Sequence, residues 1–152
     1  MIIKQVKQSQ LVKIALLLSV LVSIPKSIFL YNMINEGNLD FSQVFVADFI
    51  YRFVFFFLFS WLILQLNANW GYSLVTLTPA IRTVILIFIN ILFAWVILRL
   101  FRFLYPYFVD DTMTEEAIGF LSSTYTILLI VLFFIARISR LQTNQQESII
   151  EN

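Results

Sequence analysis

The stretch that decides the fold is AIGFLSSTYTILLIVLFFIA, residues 117–136, which continues as RISRLQTNQQESIIEN to residue 152. The first part is uncharged, and a helix of that length crosses about 30 Å of hydrocarbon at about 1.5 Å per residue. No glycine or proline follows Gly119, so nothing in the polar tail breaks or caps a helix that leaves the membrane. The sequence therefore predicts one helix that spans the bilayer and extends beyond it.

The composition of the whole chain indicates an integral membrane protein. Of its 152 residues, 61% are apolar and 12% are charged, and the mean hydropathy is +0.90. A soluble domain of this size cannot hide so much apolar surface. The chain contains no cysteine and no histidine, which removes thiol chemistry and the commonest metal ligand and general base. We therefore expect no enzyme activity, no cofactor and no metal in this chain, and nothing in its balanced charge indicates nucleic-acid binding.

Three further apolar stretches precede this one, so we predict an all-α integral membrane fold. It is a four-transmembrane-helix bundle whose last helix extends into the cytoplasm. The predicted spans cover about residues 11–34, 41–66, 79–103 and 115–138. Residues 1–10 are predicted to be a basic cytoplasmic amino terminus, and residues 11–140 the membrane domain. Residues 67–78, NANWGYSLVTLT, are predicted to be a cytoplasmic connection, and residues 141–152 a cytoplasmic helical linker that belongs to something longer.

The positions of the basic residues predict that both termini lie in the cytoplasm, on the inner side of an inner or plasma membrane. Two basic residues, Arg99 and Arg102, lie on the opposite side, while Lys26 and Arg52 fall inside spans. On the side of the termini lie Lys4, Lys7, Lys13, Arg82, Arg137 and Arg140. An excess of Lys and Arg in the cytoplasmic segments is what the positive-inside rule requires.

Local signals mark the bends and ends of these spans. Pro25 predicts a kink in the first span. Thr78 and Pro79 have the types expected for the N-cap and the first residue of the third span. Thr112 and Glu115 have the spacing of a capping box before the fourth span.

Four charged residues are predicted to lie at one level in the outer third of the membrane. Counted from the inner ends of their spans, Lys26 and Arg52 lie about 20 Å up and Arg99 about 25 Å up. Asp48 lies one turn from Arg52, at a spacing where opposite charges meet on one helix face. Ionisable groups at that depth cost a few kcal/mol and usually face a bundle interior or a wet cavity. We therefore predict that these four residues line an outward-facing polar pocket that senses a ligand or signal.

A simpler interpretation of the same residues stays open. Arg99 and Lys26 can snorkel to the headgroups, and Asp48 with Arg52 can be a neutralised pair within one helix. A fifth polar residue, Asn90, lies near the middle of the third span. A buried amide in lipid seeks a neighbouring helix, so we predict that Asn90 forms a helix-to-helix hydrogen bond.

The layout of the chain resembles the membrane region of LytS/YehU-type sensor histidine kinases. The resemblance lies in the basic amino terminus, the aromatic-rich spans without an extracytoplasmic domain, and the last span that runs through RISRLQTNQQESIIEN into a helical linker. It implies a sensor domain of a two-component system, in a homodimer whose paired linkers shift or rotate. The implied partners are the lipid bilayer, a downstream kinase core and a response regulator. Because this chain has no histidine, kinase activity would belong to a carboxyl-terminal part outside it.

Two other classes of protein remain alternatives. One is a small four-span transporter or flippase subunit, and the other is an accessory protein of a membrane complex. A transporter is expected to have broken helices and polar residues at the midplane. Only Asn90 and Pro25 are such features, so the sensor is the preferred hypothesis.

Overall fold

The structure is a computed structural model that describes residues 5–35, 41–74, 77–109 and 114–150, with side chains in 5–25, 27–28, 46–72, 77–109 and 124–142. All regular structure in these ranges is helical: α1 (Gln8–Asn35), α2 (Phe41–Gln65), α3 (Gly71–Leu74), α4 (Pro79–Phe108) and α5 (Thr114–Ile150). A π-helical turn, Leu66–Trp70, joins α2 to the short α3. Each of the four long helices is long and apolar enough to cross a membrane. The predicted all-α membrane fold is confirmed, and four such helices indicate a multi-pass membrane protein.

The second helix, α2, lies at the centre of the bundle. It packs against α1, α4 and α5, and 44% of its spanning stretch is buried, compared with 17% for α4. We call the end of the bundle where α1 begins and α2 ends the proximal end, and the opposite end the distal end. Because successive spans alternate in direction, α4 begins and α5 leaves the bundle at the proximal end.

The core is built largely from aromatic side chains of α2, α4 and α5. The ring of Tyr125 in α5 lies 5.0 Å from that of Phe56 and 4.7 Å from that of Phe59, between centroids. On the opposite surface α4 exposes a run of large apolar residues that includes Val84, Phe88, Ile91, Trp95 and Phe103. Such a surface is stable only against lipid, which is as apolar as these side chains.

Two predicted helix boundaries can be compared with the structure. Pro79 is the first residue of α4 and Thr78 is its N-cap, as predicted, although the Thr78 side chain makes no capping hydrogen bond. The same helix continues through Pro106 to Phe108, past the predicted end of the third span. The capping box of Thr112 and Glu115 lies outside the described residues and side chains.

The prediction that residues 67–78 are a connection is wrong for its first part. The chain stays helical from Leu66 to Leu74, first as the π turn and then as α3. Asparagine often leaves a helix because its side chain competes for the backbone. Here Asn67 and Asn69 are buried, and their amides bond to groups of neighbouring segments, so tertiary contacts keep this stretch helical.

The last helix is the longest element. It runs for 37 residues from Thr114 to Ile150 without interruption. At about 1.5 Å per residue it is about 55 Å long, which exceeds the hydrocarbon thickness by about 25 Å. Residues 141–150 of the predicted linker are therefore helical and continuous with the span.

Candidate functional site

Asp48 and Arg52 form a buried ion pair in the distal half of α2. Their sequence separation of four places both side chains on one helix face. The Arg52 Nε atom donates to Asp48 Oδ1 across 2.7 Å. Asp48 is 1% exposed and Arg52 is 3% exposed, so the pair is screened from both lipid and water.

A third side chain joins this pair from another helix. The hydroxyl of Tyr105 in α4 donates to Asp48 Oδ1 across 2.6 Å, which is within the usual range for an O–H···O hydrogen bond. Tyr105 is fully buried, whereas its neighbour Tyr107 is 75% exposed. One carboxylate oxygen therefore holds α2 and α4 together, and the Asp48 carboxylate is the centre of the distal polar layer, which comprises Asp48, Arg52 and Tyr105.

Two more tyrosines pack beside the distal polar layer. The hydroxyl of Tyr51 donates to the backbone carbonyl of Phe101 across 2.9 Å, and its ring lies 5.5 Å from that of Tyr105. The ring of Tyr125 packs on Phe56, one turn along α2 from Arg52. In this way α5 contacts the same face of α2 that carries the ion pair.

Two buried polar groups in this part of the bundle have unused hydrogen-bonding capacity. The Arg52 Nη1 atom and the Tyr125 hydroxyl are both buried, and neither has a hydrogen-bond partner among the residues that the structure describes. A buried polar group without a partner costs about 1 to 3 kcal/mol. A hydrogen-bond partner brought to either group would remove that cost.

Of the other two predicted sensing residues, the structure describes the side chain of Arg99 alone, and Arg99 does not join the distal polar layer. The side chain of Lys26 lies outside the described part of the chain. Arg99 is exposed, with its guanidinium carbon 5.2 Å from the centroid of the Trp95 ring. The expectation that Arg99 shares a pocket with Asp48 and Arg52 is therefore wrong. The reason is helical geometry, since Arg99 lies about 200° around α4 from Phe101, which faces the core.

Asn90 lies in a second polar layer nearer the proximal end. Its Nδ2 donates to Asn67 Oδ1 across 2.7 Å, and Asn67 Nδ2 donates back to Asn90 Oδ1 across 2.8 Å. Each amide nitrogen also donates within its own helix, to Leu86 O from Asn90 and to Ile63 O from Asn67. The pair joins the start of the π turn to α4. Asn67 was missed as a partner because its segment was interpreted as a connection.

Replacing Asn90 by leucine is expected to lower the free energy of unfolding by about 1 kcal/mol, because the buried amide of Asn67 then loses its partner. Replacing both Asn67 and Asn90 by leucine should lower the free energy of unfolding by less than the single change does, since no buried amide then lacks its partner. Reversible unfolding in detergent or bicelles measures both values. A double variant that is less stable than Asn90→Leu would contradict the pairing.

The π turn is also tied to the amino terminus. Asn69 Oδ1 accepts a hydrogen bond from the backbone N–H of Val6 across 2.8 Å, and its Nδ2 donates to the Val6 carbonyl across 3.3 Å. Gln65 donates to the side-chain oxygen of Gln8. These bonds fix the segment that precedes α1 against the end of α2.

Two arginines of the last helix contact the proximal end, Arg140 at the π turn and Arg137 at the first turns of α4. Arg140 donates to the carbonyl of Ala68, and its guanidinium carbon lies 3.7 Å from the centroid of the Tyr72 ring. Arg137 Nη1 donates to Thr83 Oγ1 across 3.1 Å. Thus α5 contacts the aromatic core beside the distal polar layer and also the π turn and the first turns of α4.

Both polar layers consist of side chains that form ion pairs and hydrogen bonds. Among the side chains that the structure describes, no three histidine, cysteine or acidic residues come together as metal ligands would. The polar groups of both layers lie between helices, where a shift of one helix changes their pairing. Comparison with protein-family models, with curated proteins and with solved structures gives no match to this chain.

Proposed function

We propose that this chain is a membrane-embedded sensor and signal-transmitting domain. In this proposal α5 passes a conformational change from the distal polar layer to the proximal end and beyond it. The observation that supports it is the continuity of α5, which is one helix from Thr114 to Ile150. This helix contributes Tyr125 to the core beside the ion pair and Arg140 to the π turn.

The length of α5 gives the proposal its mechanical basis. Tyr125 and Arg140 are about 22 Å apart along the helix axis, and the helix continues for about 15 Å beyond Arg140. A helix transmits a translation or rotation along its axis because its backbone hydrogen bonds form a continuous ladder. A displacement of α5 at Tyr125 therefore also moves its residues at the π turn and at Ile150.

The input in this proposal is a change of hydrogen-bond partners in the distal polar layer. In the present arrangement Asp48 is shared by Arg52 and Tyr105, while the Tyr125 hydroxyl and Arg52 Nη1 have no hydrogen-bond partner in the described part of the chain. A ligand or a change in the bilayer that draws Tyr125 towards Arg52 would allow Arg52 Nη1 to donate a hydrogen bond to the Tyr125 hydroxyl oxygen. The two arrangements are the discrete states that a switch requires.

The orientation and the output belong to the same proposal. The excess of Lys and Arg at the proximal end supports a cytoplasmic position for that end and for both termini in an inner or plasma membrane. As the LytS/YehU resemblance implies, the output would be a kinase core that follows α5 and acts on a response regulator. The receptor unit would be a homodimer in which two copies of α5 lie side by side.

A transporter or an accessory subunit is the second candidate, and one observation favours it. The π turn interrupts α2 at a polar position, as the discontinuous helices of transporters do. In transporters, however, the freed polar groups face a substrate. Here the amides of Asn67 and Asn90 bond to each other, so the interruption joins helices. The sensor therefore remains the preferred function.

The test follows the position of α5 when the ion pair is changed. The chain has no native cysteine, so Leu77→Cys and Leu141→Cys, both at exposed positions, give one clean pair of spin labels at the proximal end. Asp48→Asn is expected to change the distance between the labels by about 1 to 5 Å, the size of known helix shifts. Dilution with unlabelled protein removes signals between protomers.

The matched control is Arg99→Gln, which also alters one charged residue in the distal half of the bundle. Since Arg99 is exposed and contacts Trp95, this variant should leave the label distance unchanged. An Asp48→Asn protein that inserts into the membrane and shows the same distance distribution as the parent would contradict the proposal. Sequencing the reading frame beyond residue 152 tests the kinase version separately.

A further inference from the structure

Three arginines from two helices converge at the proximal end. The guanidinium carbons of Arg82 and Arg140 lie 5.2 Å and 3.7 Å from the centroid of the same Tyr72 ring. They are therefore no farther apart than the sum of these two distances. Arg137 donates to Thr83, the residue that follows Arg82. Arg82 and Arg137 are partly exposed, whereas Arg140 is only 6% exposed, so the three positive charges lie together at the proximal end and two of them remain accessible.

Among the side chains that the structure describes at the proximal end, in residues 5–13, 65–72, 77–90 and 133–142, no aspartate or glutamate neutralises this cluster. Arg82 uses its Nη2 atom to donate to the Leu77 carbonyl across 3.1 Å, but its Nε atom is buried and has no partner among the described residues. Like charges held this close repel, and a buried N–H donor lacks an acceptor, so the cluster favours an anion.

The position of the cluster along the bundle indicates which anion. Arg82 lies in the first turn of α4, and the exposed apolar surface of that helix begins at Ile81 and continues through Val84 and Phe88. At the same end Trp70 is 43% exposed, and tryptophan concentrates at membrane interfaces. The arginines therefore lie at the boundary between hydrocarbon and headgroups, which is the level of the lipid phosphates.

We infer that Arg82 and Arg137 bind the phosphate of an anionic phospholipid, and that the buried Arg140 adds its positive charge to the arginine cluster. Guanidinium groups bind phosphate oxygens through paired N–H donors. The acyl chains of such a lipid would pack on the apolar surface of α4 beside the cluster. A soluble phosphate or an acidic peptide has no group to cover that surface, so lipid is the source that the structure favours. This inference does not depend on α5 transmitting a signal.

The first test compares thermal unfolding in nanodiscs of phosphatidylcholine with and without phosphatidylglycerol. Anionic lipid is expected to raise the midpoint by about 3 to 8 °C. The double variant Arg82→Gln with Arg137→Gln should lose most of that rise, since each arginine contributes about fivefold in affinity for anionic lipid. Arg140 is left in place because it also bonds to the π turn.

The control is Arg102→Gln, which removes one exposed charge from the distal end of the same helix. Arg102→Gln should show the same rise in unfolding midpoint with phosphatidylglycerol as the parent. If this variant loses as much of the rise as the double variant, the effect comes from general surface charge and the proposed site is overturned. Inorganic phosphate or a polyglutamate peptide, added to phosphatidylcholine nanodiscs, should give no rise. A rise with either one that equals that of phosphatidylglycerol would overturn the assignment to lipid.

Native mass spectrometry gives a second measurement that does not depend on stability. The parent protein, released from mixed-lipid nanodiscs, should retain phosphatidylglycerol in preference to phosphatidylcholine. The double variant should retain the two lipids in the ratio present in the nanodisc, while Arg102→Gln behaves like the parent. Equal retention by the parent and the double variant would overturn the inference.

Discussion

Replacing Asp48 by leucine is expected to lower the free energy of unfolding by about 3 to 5 kcal/mol, because Arg52 is then left as a buried charge without a partner. The pair is almost inaccessible, with exposures of 1% and 3%. The same change removes the acceptor of the Tyr105 hydroxyl. Two donors on two helices therefore lose one shared oxygen, and the contact between α2 and α4 weakens.

The double variant Asp48→Leu with Arg52→Met distinguishes the cost of an unpaired buried charge from the cost of altered side-chain packing. Replacing both members of a buried pair by apolar residues is often neutral or stabilising, so the double variant should recover most of the loss. Reversible unfolding of single and double variants in bicelles gives both values. A cost below about 1 kcal/mol for Asp48→Leu would contradict the burial of the pair, because only a charge that reaches water or headgroups is tolerated so easily.

The number of spans was predictable from the sequence because spanning length is a local property. A run of apolar residues either reaches across the hydrocarbon or does not, and each of the four runs does. The ion pair was predictable for a similar reason, since Asp48 and Arg52 lie four residues apart on one helix. The residues that surround the pair depend on packing, which the sequence expresses only weakly.

The direction in which a side chain points around a membrane helix is the main quantity that the sequence left open. Lipid-facing and core-facing positions are both apolar, so the periodicity that orients a helix in a soluble protein is missing. Nothing in the sequence separates Tyr105, which is fully buried, from Tyr107, which is 75% exposed. The rise per residue predicts that Arg99 lies at a height close to that of Arg52. In the packed bundle, however, its side chain lies on the side of α4 opposite the core.

The π turn was unpredictable for a different reason. Asn67, Asn69 and Gly71 lie within five residues, and such a cluster usually marks a turn or loop. The helical state is held by contacts with residues distant in sequence, namely Asn90 and Val6. A local pattern cannot reveal such contacts.

Replacing Gly71 by alanine is the second large effect that we expect, with a loss of about 1 to 3 kcal/mol in the free energy of unfolding. A Cβ atom at this position would overlap the Leu86 side chain and lie 2.8 Å from the Leu66 carbonyl oxygen. The backbone is not the obstacle, since Gly71 has φ −62° and ψ −26°, which alanine adopts readily. The glycine is needed for space, where α4 packs on the end of the π turn.

The double variant Gly71→Ala with Leu86→Ala identifies the contact that matters. It removes the overlap with the buried Leu86 side chain but keeps the short approach to the Leu66 oxygen, and it leaves a cavity, so it should not recover full stability. Alanine normally stabilises a helix relative to glycine by about 1 kcal/mol. A Gly71→Ala protein as stable as the parent would therefore mean that α4 moves away from the π turn at little cost. In that case the contact between Gly71 and Leu86 would not fix the spacing between α4 and the π turn.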